Sequence, residues 1–316
     1  MTAKKTKLPH GIYLFNKPVG ISSAGFLNAL KKEYECDKIG HGGTLDPFAS
    51  GVLVVGIGRE YTKRLFKQLC EAQKEYRATI VLGASSSTDD KTGDIRQGGD
   101  CSSLTLEKLS ATLEELQKKT TQRAPDFCAK KIQGVPAYAH ARAGKAVTLK
   151  EHPVTLFSHT LSSFEKQPDG TVHITLTIKV SAGFYVRSFA RDLGEMLGVG
   201  GYVKELQRTK TGDFDSSLAL DAARLETTIE SRLTLWGAVQ GVGLRVFAQK
   251  TAQKRAIMGS IRNNNDGSVE VTAQGNLGVL NEFLEDIRKG NEYLKIEKEE
   301  VVFYRPKEQF FSFEIE

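Results

Sequence analysis

The sequence predicts an α+β chain, mixed α/β in texture, built as two domains. Three observations carry that expectation. Short apolar β-rich runs alternate with amphipathic helical stretches through residues 1–225. The texture then changes, and residues 231–316 follow the order β-α-β-β-α-β, the ferredoxin-like pattern. At 316 residues, the chain is long for one core and comfortable for two. The expected division is 1–225 for the first domain, 226–230 for a linker and 231–316 for the second.

Taken in order, GIYLF (11–15) is a short buried strand, and NKPVGISS turns the chain at Pro18 and Gly20. Ser22 or Ser23 caps the helix that AGFLNALKKEY predicts, with Phe26, Leu27 and Leu30 on one face. GHGGTLDPFASGVL (40–53) then sets one carboxylate, Asp46, between a glycine-rich turn and a proline, with His41 five residues earlier. As local chemistry this is turn or cap material. GVLVVGIG and KEYRATIVLG are strand patterns, and SSSTDDKTGDIRQGGD is a polar loop. SLTLEKLSATLEELQKKT is a helix with a Glu/Lys-rich face. HITLTIKVSAGFYVRSFARDLGEMLG reads as a strand, a turn at Gly183 and a helix closed by Gly198. LDAARLETTIESR is helical or linking, and LTLWGAVQGVGLRVFAQKTAQKR opens a strand–loop–helix unit. SIRNNNDGSVEVTAQG is a hairpin turning at Asp266-Gly267. NLGVLNEFLEDIRKG is an amphipathic helix ending at Gly290, and the tail EEVVFYRPKEQFFSFEIE is β-rich.

Composition is that of a folded globular protein, with 40% hydrophobic and 26% charged residues. No apolar run is long enough to span a bilayer, and no apolar signal core follows the basic start MTAKKTKLPHG. A cytoplasmic protein with no membrane partner is expected. Cys36, Cys70, Cys101 and Cys128 form no CxxC pair, so zinc spacing is absent and reduced thiols are expected. The net charge of +6 is uneven: residues 226–316 hold 12 Lys+Arg against 14 Asp+Glu, and residues 1–225 hold 32 against 24. A basic first part suits a polyanion such as nucleic acid and equally suits a plain soluble surface.

Five ordered segments bear a resemblance to the TruB family of tRNA pseudouridine synthases. They are GIYLFNKPVGISS, GHGGTLDPFASGVL, KEYRATIVLGASSSTDDKTG, KKIQGVPAYAHARAG and VSAGFYVRSFARDLGEMLGVGGYVKELQRTKTGDF, together spanning residues 10–225. The resemblance implies the pseudouridine-synthase fold, with a central mixed, mostly antiparallel sheet. It implies isomerisation of uridine, at position 55 of the tRNA TΨC stem-loop, by a monomer without metal or redox cofactor. The reaction must break the C1′–N1 bond, turn the base and rejoin it through C5. Asp46 is implied as the nucleophile toward ribose C1′ or uracil C6, and Arg187 as the guanidinium that keeps it ionised and placed. Tyr76 is implied to stack on the uracil and assist proton loss from C5. The target base must leave its stack, and His41 matches the residue inserted beside it. Lys17, Lys131 and Arg142 fall at matched positions, as RNA phosphate contacts or as supports of the fold. Ser87, Ala124-Pro125, Phe127-Cys128 and Gln207 depart from the usual pattern at positions outside the implied chemistry.

The family's common C-terminal RNA-binding module, the PUA module, is not recognisable here. Instead LWGAVQGVGLR and GSIRNNNDGSVEVTAQG resemble the two signatures of acylphosphatases, over residues 231–316. Gln240, Gly241, Val242, Gly243, Leu244 and Arg245 offer successive main-chain N–H groups leading into a helix, a phosphate cradle. Arg245 adds a fork for phosphoryl oxygens, and Asn263 is implied to position an attacking water. Leu244 and Ser260 replace the usual residues beside the loop. Two readings stand for this domain: hydrolysis of a small acyl phosphate, or an anion- or RNA-binding module in place of the PUA module.

Overall fold

The computed structural model describes residues 6–128, 130–132, 134–143, 149–225 and 227–316. Strand β1 (Gly11–Lys17) leads through a turn into helix α1 (Ser23–Glu33). Strands β2 (Ile39–His41) and β3 (Ser50–Ile57) flank the loop carrying Asp46, and helix α2 (Arg59–Leu69) follows. Next come β4 (Lys74–Leu82), α3 (Leu106–Gln117), β5 (Leu156–Lys166), β6 (Val172–Val180), α4 (Val186–Leu197) and β7 (Gly201–Thr211). The remainder holds β8 (Ile229–Ala238), α5 (Leu244–Lys254), β9 (Met258–Asn263), β10 (Val269–Gly275), α6 (Leu277–Lys289), β11 (Lys295–Tyr304) and β12 (Phe313–Ile315).

Packing divides the chain into two compact units that cut across sequence order. One comprises residues 1–47, 51–70 and 213–316; the other comprises 48–50 and 71–212. In the first unit, β11, β8, β10 and β9 lie side by side in that order, all antiparallel, which is the ferredoxin-like arrangement. Strand β12 adds in parallel beside β9. At the other edge β1 pairs in parallel with β11, Tyr13 opposite Phe303, and antiparallel with β3. One buried cluster joins both chain segments, from Tyr13, Phe15, Phe26 and Leu30 to Phe283, Val301 and Phe303. The Tyr13 and Phe303 rings stack with centroids 4.5 Å apart. Gly11 makes room for this, because a Cβ there meets the Phe303 ring at 2.7 Å.

Local chemistry explains the helices of this unit. Ser22 caps α1, its Oγ accepting from the Gly25 N–H at 3.0 Å, and Phe26, Leu27 and Leu30 face inward. Asn276 caps α6, which buries Leu277, Leu280, Phe283, Leu284 and Ile287 at helical spacing. The Asp266-Gly267 turn closes the β9–β10 hairpin, with Gly267 at φ 85°.

In the second unit β5, β6, β4 and β7 run antiparallel in that order, with bulges in β7 near Glu205 and Lys210. Helix α4 closes at Gly198 in the left-handed conformation, φ 74°, as the pattern predicts. The stretch SSSTDDKTGDIRQGGD differs from the expected plain loop. Its first residues, together with Ala84 just before them, form a strand Ala84–Ser86 that pairs antiparallel with Ile95–Gln97. The cause is Asp90, whose Oδ1 accepts from the Thr88 hydroxyl at 2.8 Å, the Thr92 N–H at 2.9 Å and the Thr92 hydroxyl at 2.5 Å. The stretch LDAARLETTIESR, expected as helical or linking, forms a short 3-10 turn at Ala222–Arg224 before β8 begins at Ile229.

Candidate active sites

The loop bearing Asp46 is built from the turn that follows β1. Lys17 is fully buried, and its ammonium donates to the carbonyls of Pro18 and Ile21 at 2.8 Å each. Gly20, at φ 88°, donates its N–H to the Pro47 carbonyl at 2.7 Å. Ser23 Oγ accepts from the Leu45 N–H at 2.8 Å and donates to the Leu45 carbonyl at 3.0 Å. The residues on both sides of Asp46 are thus tied to one short segment. Asp46 itself is half-buried, as is His41 on β2 opposite Val55. The Leu69 side chain packs closely against Gly42, in the space that a Cβ there would need.

Tyr76 and Arg187 belong to the other unit. Tyr76 sits within β4, buried between Ile178 on β6 and Arg208 on β7. Arg187 lies in the first turn of α4 and is only 3% exposed. Its Nη1 donates to the Thr88 carbonyl at 3.2 Å and stands 3.7 Å from Asp90 Oδ2; its Nη2 donates to the Phe127 carbonyl at 3.0 Å. Gln122 fixes the approach to α4, exchanging two hydrogen bonds with the main chain of Tyr185 at 3.0 and 2.8 Å. One turn on, Arg191 pairs with Asp89 and Asp192, each at 2.9 Å. Burial pushes the Asp89 carboxyl up, against the pull of Arg191 and Arg187. Asp89 also sits at φ 60°, uncommon for a non-glycine residue. The sequence motifs do not single out Asp89, Asp90 or Arg191. The signal for them lies in the Asp-Asp pair of SSSTDDKTG and in the four-residue spacing of Arg187 and Arg191. The substitution at Phe127 involves a main-chain contact, which any residue supplies. The side chains of Lys131 and Arg142 lie outside the described residues.

The third set lies wholly in the first unit. Strands β8 and β9 both pair antiparallel with β10, so they run parallel and their C-terminal ends share one edge. The loop 239–243 leaves the end of β8, and Asn263 closes β9, exposed. Gly241 and Gly243 take φ 75° and 76°, and Gly243 caps α5. A Cβ at Gly241 meets nothing within 4 Å, so the loop borders open space. Gln240 holds the facing turn, donating to the carbonyls of Asn264 at 3.0 Å and Ser268 at 2.9 Å. Asn291 holds the cradle from the other side, donating to the Val242 carbonyl at 2.7 Å. Arg245, half-buried in the first turn of α5, reaches the main-chain oxygen of Glu316 at 3.4 Å. Leu244 is buried beneath the loop, where an apolar side chain of any shape that fits serves the packing. Ser260 is likewise buried, on β9.

Among the described residues no group of three or more His, Cys, Asp or Glu is placed to hold a metal ion. Among them, too, no helix is long and apolar enough to cross a membrane. Residues 31–186 match the TruB family pseudouridylate synthase N-terminal domain, and residues 187–233 match the tRNA pseudouridylate synthase B C-terminal domain. Residues 231–315 match the acylphosphatase family. The chain is 37% identical over 225 residues to tRNA pseudouridine synthase B of Corynebacterium efficiens, covering 71% of this chain and 75% of that one. It is 36% identical over 240 residues to the protein of that name from Mycobacterium bovis, covering 76% and 78%. A solved H/ACA RNP bound to a substrate RNA containing 2′-deoxyuridine contains a chain of similar fold. The TM-score is 0.50 at 20% identity, over 83% of this chain and 70% of that one.

Proposed function

Because the chain belongs to the tRNA pseudouridine synthase B family, we propose that it isomerises uridine 55 in the TΨC loop of tRNA, with Asp46 as nucleophile. The target nucleotide leaves its stack, and His41 occupies space beside it. The Asp46 carboxylate forms a C–O bond at ribose C1′ or uracil C6. The C1′–N1 bond breaks, the uracil turns, and C5 bonds to C1′. The C5 proton then departs, assisted by Tyr76, N1 takes up a proton in its place, and Asp46 is released unchanged. Arg187 supplies fixed positive charge, and Lys131 and Arg142 contact RNA phosphates. The single observation that carries this reading is the anchored loop. Leu45 is hydrogen-bonded to Ser23 at the start of α1 and Pro47 to Gly20 in the turn before it, which holds a half-buried carboxylate in one place. Asp46→Asn is expected to abolish pseudouridine formation and leave tRNA binding largely intact. Mass spectrometry of treated tRNA checks this; normal modification by the variant refutes the role.

The cradle at 240–245 favours a second activity, hydrolysis of a small acyl phosphate. Main-chain N–H groups and Arg245 neutralise the phosphoryl oxygens. Water oriented by Asn263 attacks phosphorus, the bond to the acyl oxygen breaks, and a carboxylate and inorganic phosphate leave. With the full-length chain, Arg245→Ala is expected to remove benzoyl phosphate hydrolysis while sparing pseudouridine formation. An unmodified chain that does not hydrolyse benzoyl phosphate supports the anion-binding reading instead, although the net acidic balance of residues 226–316 opposes strong RNA binding.

A further inference from the structure

We propose that Ser23 is a positioning residue for the uridine isomerisation, acting on Asp46 through the main chain of Leu45; this rests on the synthase reading above. Ser23 is the first residue of α1 and 1% exposed. The helix does not need its hydroxyl as a cap, because the neighbouring Ser22 supplies that bond to the Gly25 N–H. The Ser23 hydroxyl instead spans 22 residues of sequence to reach Leu45. It accepts from the Leu45 N–H at 2.8 Å and donates to the Leu45 carbonyl at 3.0 Å. One side chain therefore engages both main-chain polar groups of the buried residue that precedes the nucleophile.

Hydrogen-bonding groups buried in a protein are paired almost without exception. Without the Ser23 hydroxyl, the Leu45 N–H and carbonyl must find other partners, and the loop moves to reach them. On the far side, Pro47 remains tied to Gly20. One of the two main-chain ties that flank Asp46 would then be lost. Displacement of a reacting group by about 1 Å can cost on the order of 100-fold in rate. Binding of the RNA stem, which depends on basic side chains elsewhere, is left unchanged. The signature is a slow chemical step with normal tRNA affinity.

The test compares single-turnover pseudouridine formation on saturating tRNA, per tRNA-bound protein, with tRNA affinity measured separately. Ser23→Ala is expected to slow the bound complex by about 10- to 100-fold and to leave affinity unchanged. Ser23→Cys, which keeps one polar atom on Cβ and weakens both hydrogen bonds, is expected to be slowed as well and covers the case in which the Ala variant does not fold. Ser22→Ala removes the helix cap and keeps the Leu45 clamp; it is expected to lower thermal stability while the bound complex turns over normally. A purely structural role for Ser23 lowers the yield and Tm of its variants without changing the rate of the bound complex. Ser23→Ala or Ser23→Cys complexes that react at the unmodified rate overturn the proposal. An unmodified protein that binds tRNA and forms no pseudouridine overturns the synthase reading, and the proposal with it.

Discussion

At the scale of single residues, the chain invests heavily in a few buried polar groups. Arg187 is the clearest case. A guanidinium at 3% exposure is tolerable when it is paired, and the Thr88 and Phe127 carbonyls and the Asp90 carboxylate stand around it. Arg187→Met removes the cation and leaves Asp90, itself almost inaccessible, beside an apolar side chain. The expected cost is about 3–5 kcal/mol of stability, read from chemical denaturation. Arg187→Lys is expected to restore little, because a point charge does not reproduce a planar fork directed at separate acceptors. A variant within experimental error of the unmodified protein counts against a stabilising network here.

At the scale of elements, turns and caps carry conformational requirements that single substitutions expose. Asp266 holds the β9–β10 turn by accepting from the Ser268 N–H at 3.0 Å and hydroxyl at 2.6 Å. Those hydrogen bonds, the hydroxyl first, hold its carboxyl below the ordinary range. A depressed folded-state pKa adds stability at pH above the unfolded value, and that stability is lost as pH falls through the folded value. The Tm gap between the unmodified protein and Asp266→Asn is therefore expected to be present at neutral pH and to shrink through the acid range below the ordinary carboxylate pKa; a pH-independent gap contradicts this. Gly243 sits at φ 76°, and the nearest atom to a Cβ added there is Asn291 Nδ2, 3.9 Å away. Gly243→Ala meets no clash, so its cost is conformational, about 1 kcal/mol or somewhat more. Thermal unfolding checks that figure.

At the scale of the whole molecule, sequence order and packing divide the chain differently. Strand β1 and helix α1, from the start of the chain, share a sheet and a buried core with residues 229–316. Phe303 on β11 is fully buried and stacked on Tyr13 of β1. Phe303→Ala is expected to cost about 3–5 kcal/mol and to speed hydrogen exchange at the amides of β1, far from it in sequence. Exchange that rises in β11 alone argues against a shared core. The uneven charge belongs to this scale too. With 32 Lys+Arg against 24 Asp+Glu in residues 1–225, tRNA affinity is expected to fall steeply with salt.

Local rules determined much of this protein. Strand periodicity, the caps at Ser22 and Gly198, the Asp266-Gly267 turn and the spacing of α6 are all short-range signals, and each element formed where its pattern lies. Asp46, Tyr76, Arg187, Arg245 and Asn263 were nameable because each stands inside a short motif. The rest waited on tertiary structure. The pairing of Ala84–Ser86 with Ile95–Gln97 was hidden because a side-chain carboxylate, Asp90, organises it in a stretch with no apolar alternation. The burial of Lys17, the surroundings of Arg187 and the reach of Ser23 to Leu45 were hidden for a common reason. Each is a hydrogen bond whose partner no local pattern announces, and only the folded backbone brings donor and acceptor within about 3 Å of each other.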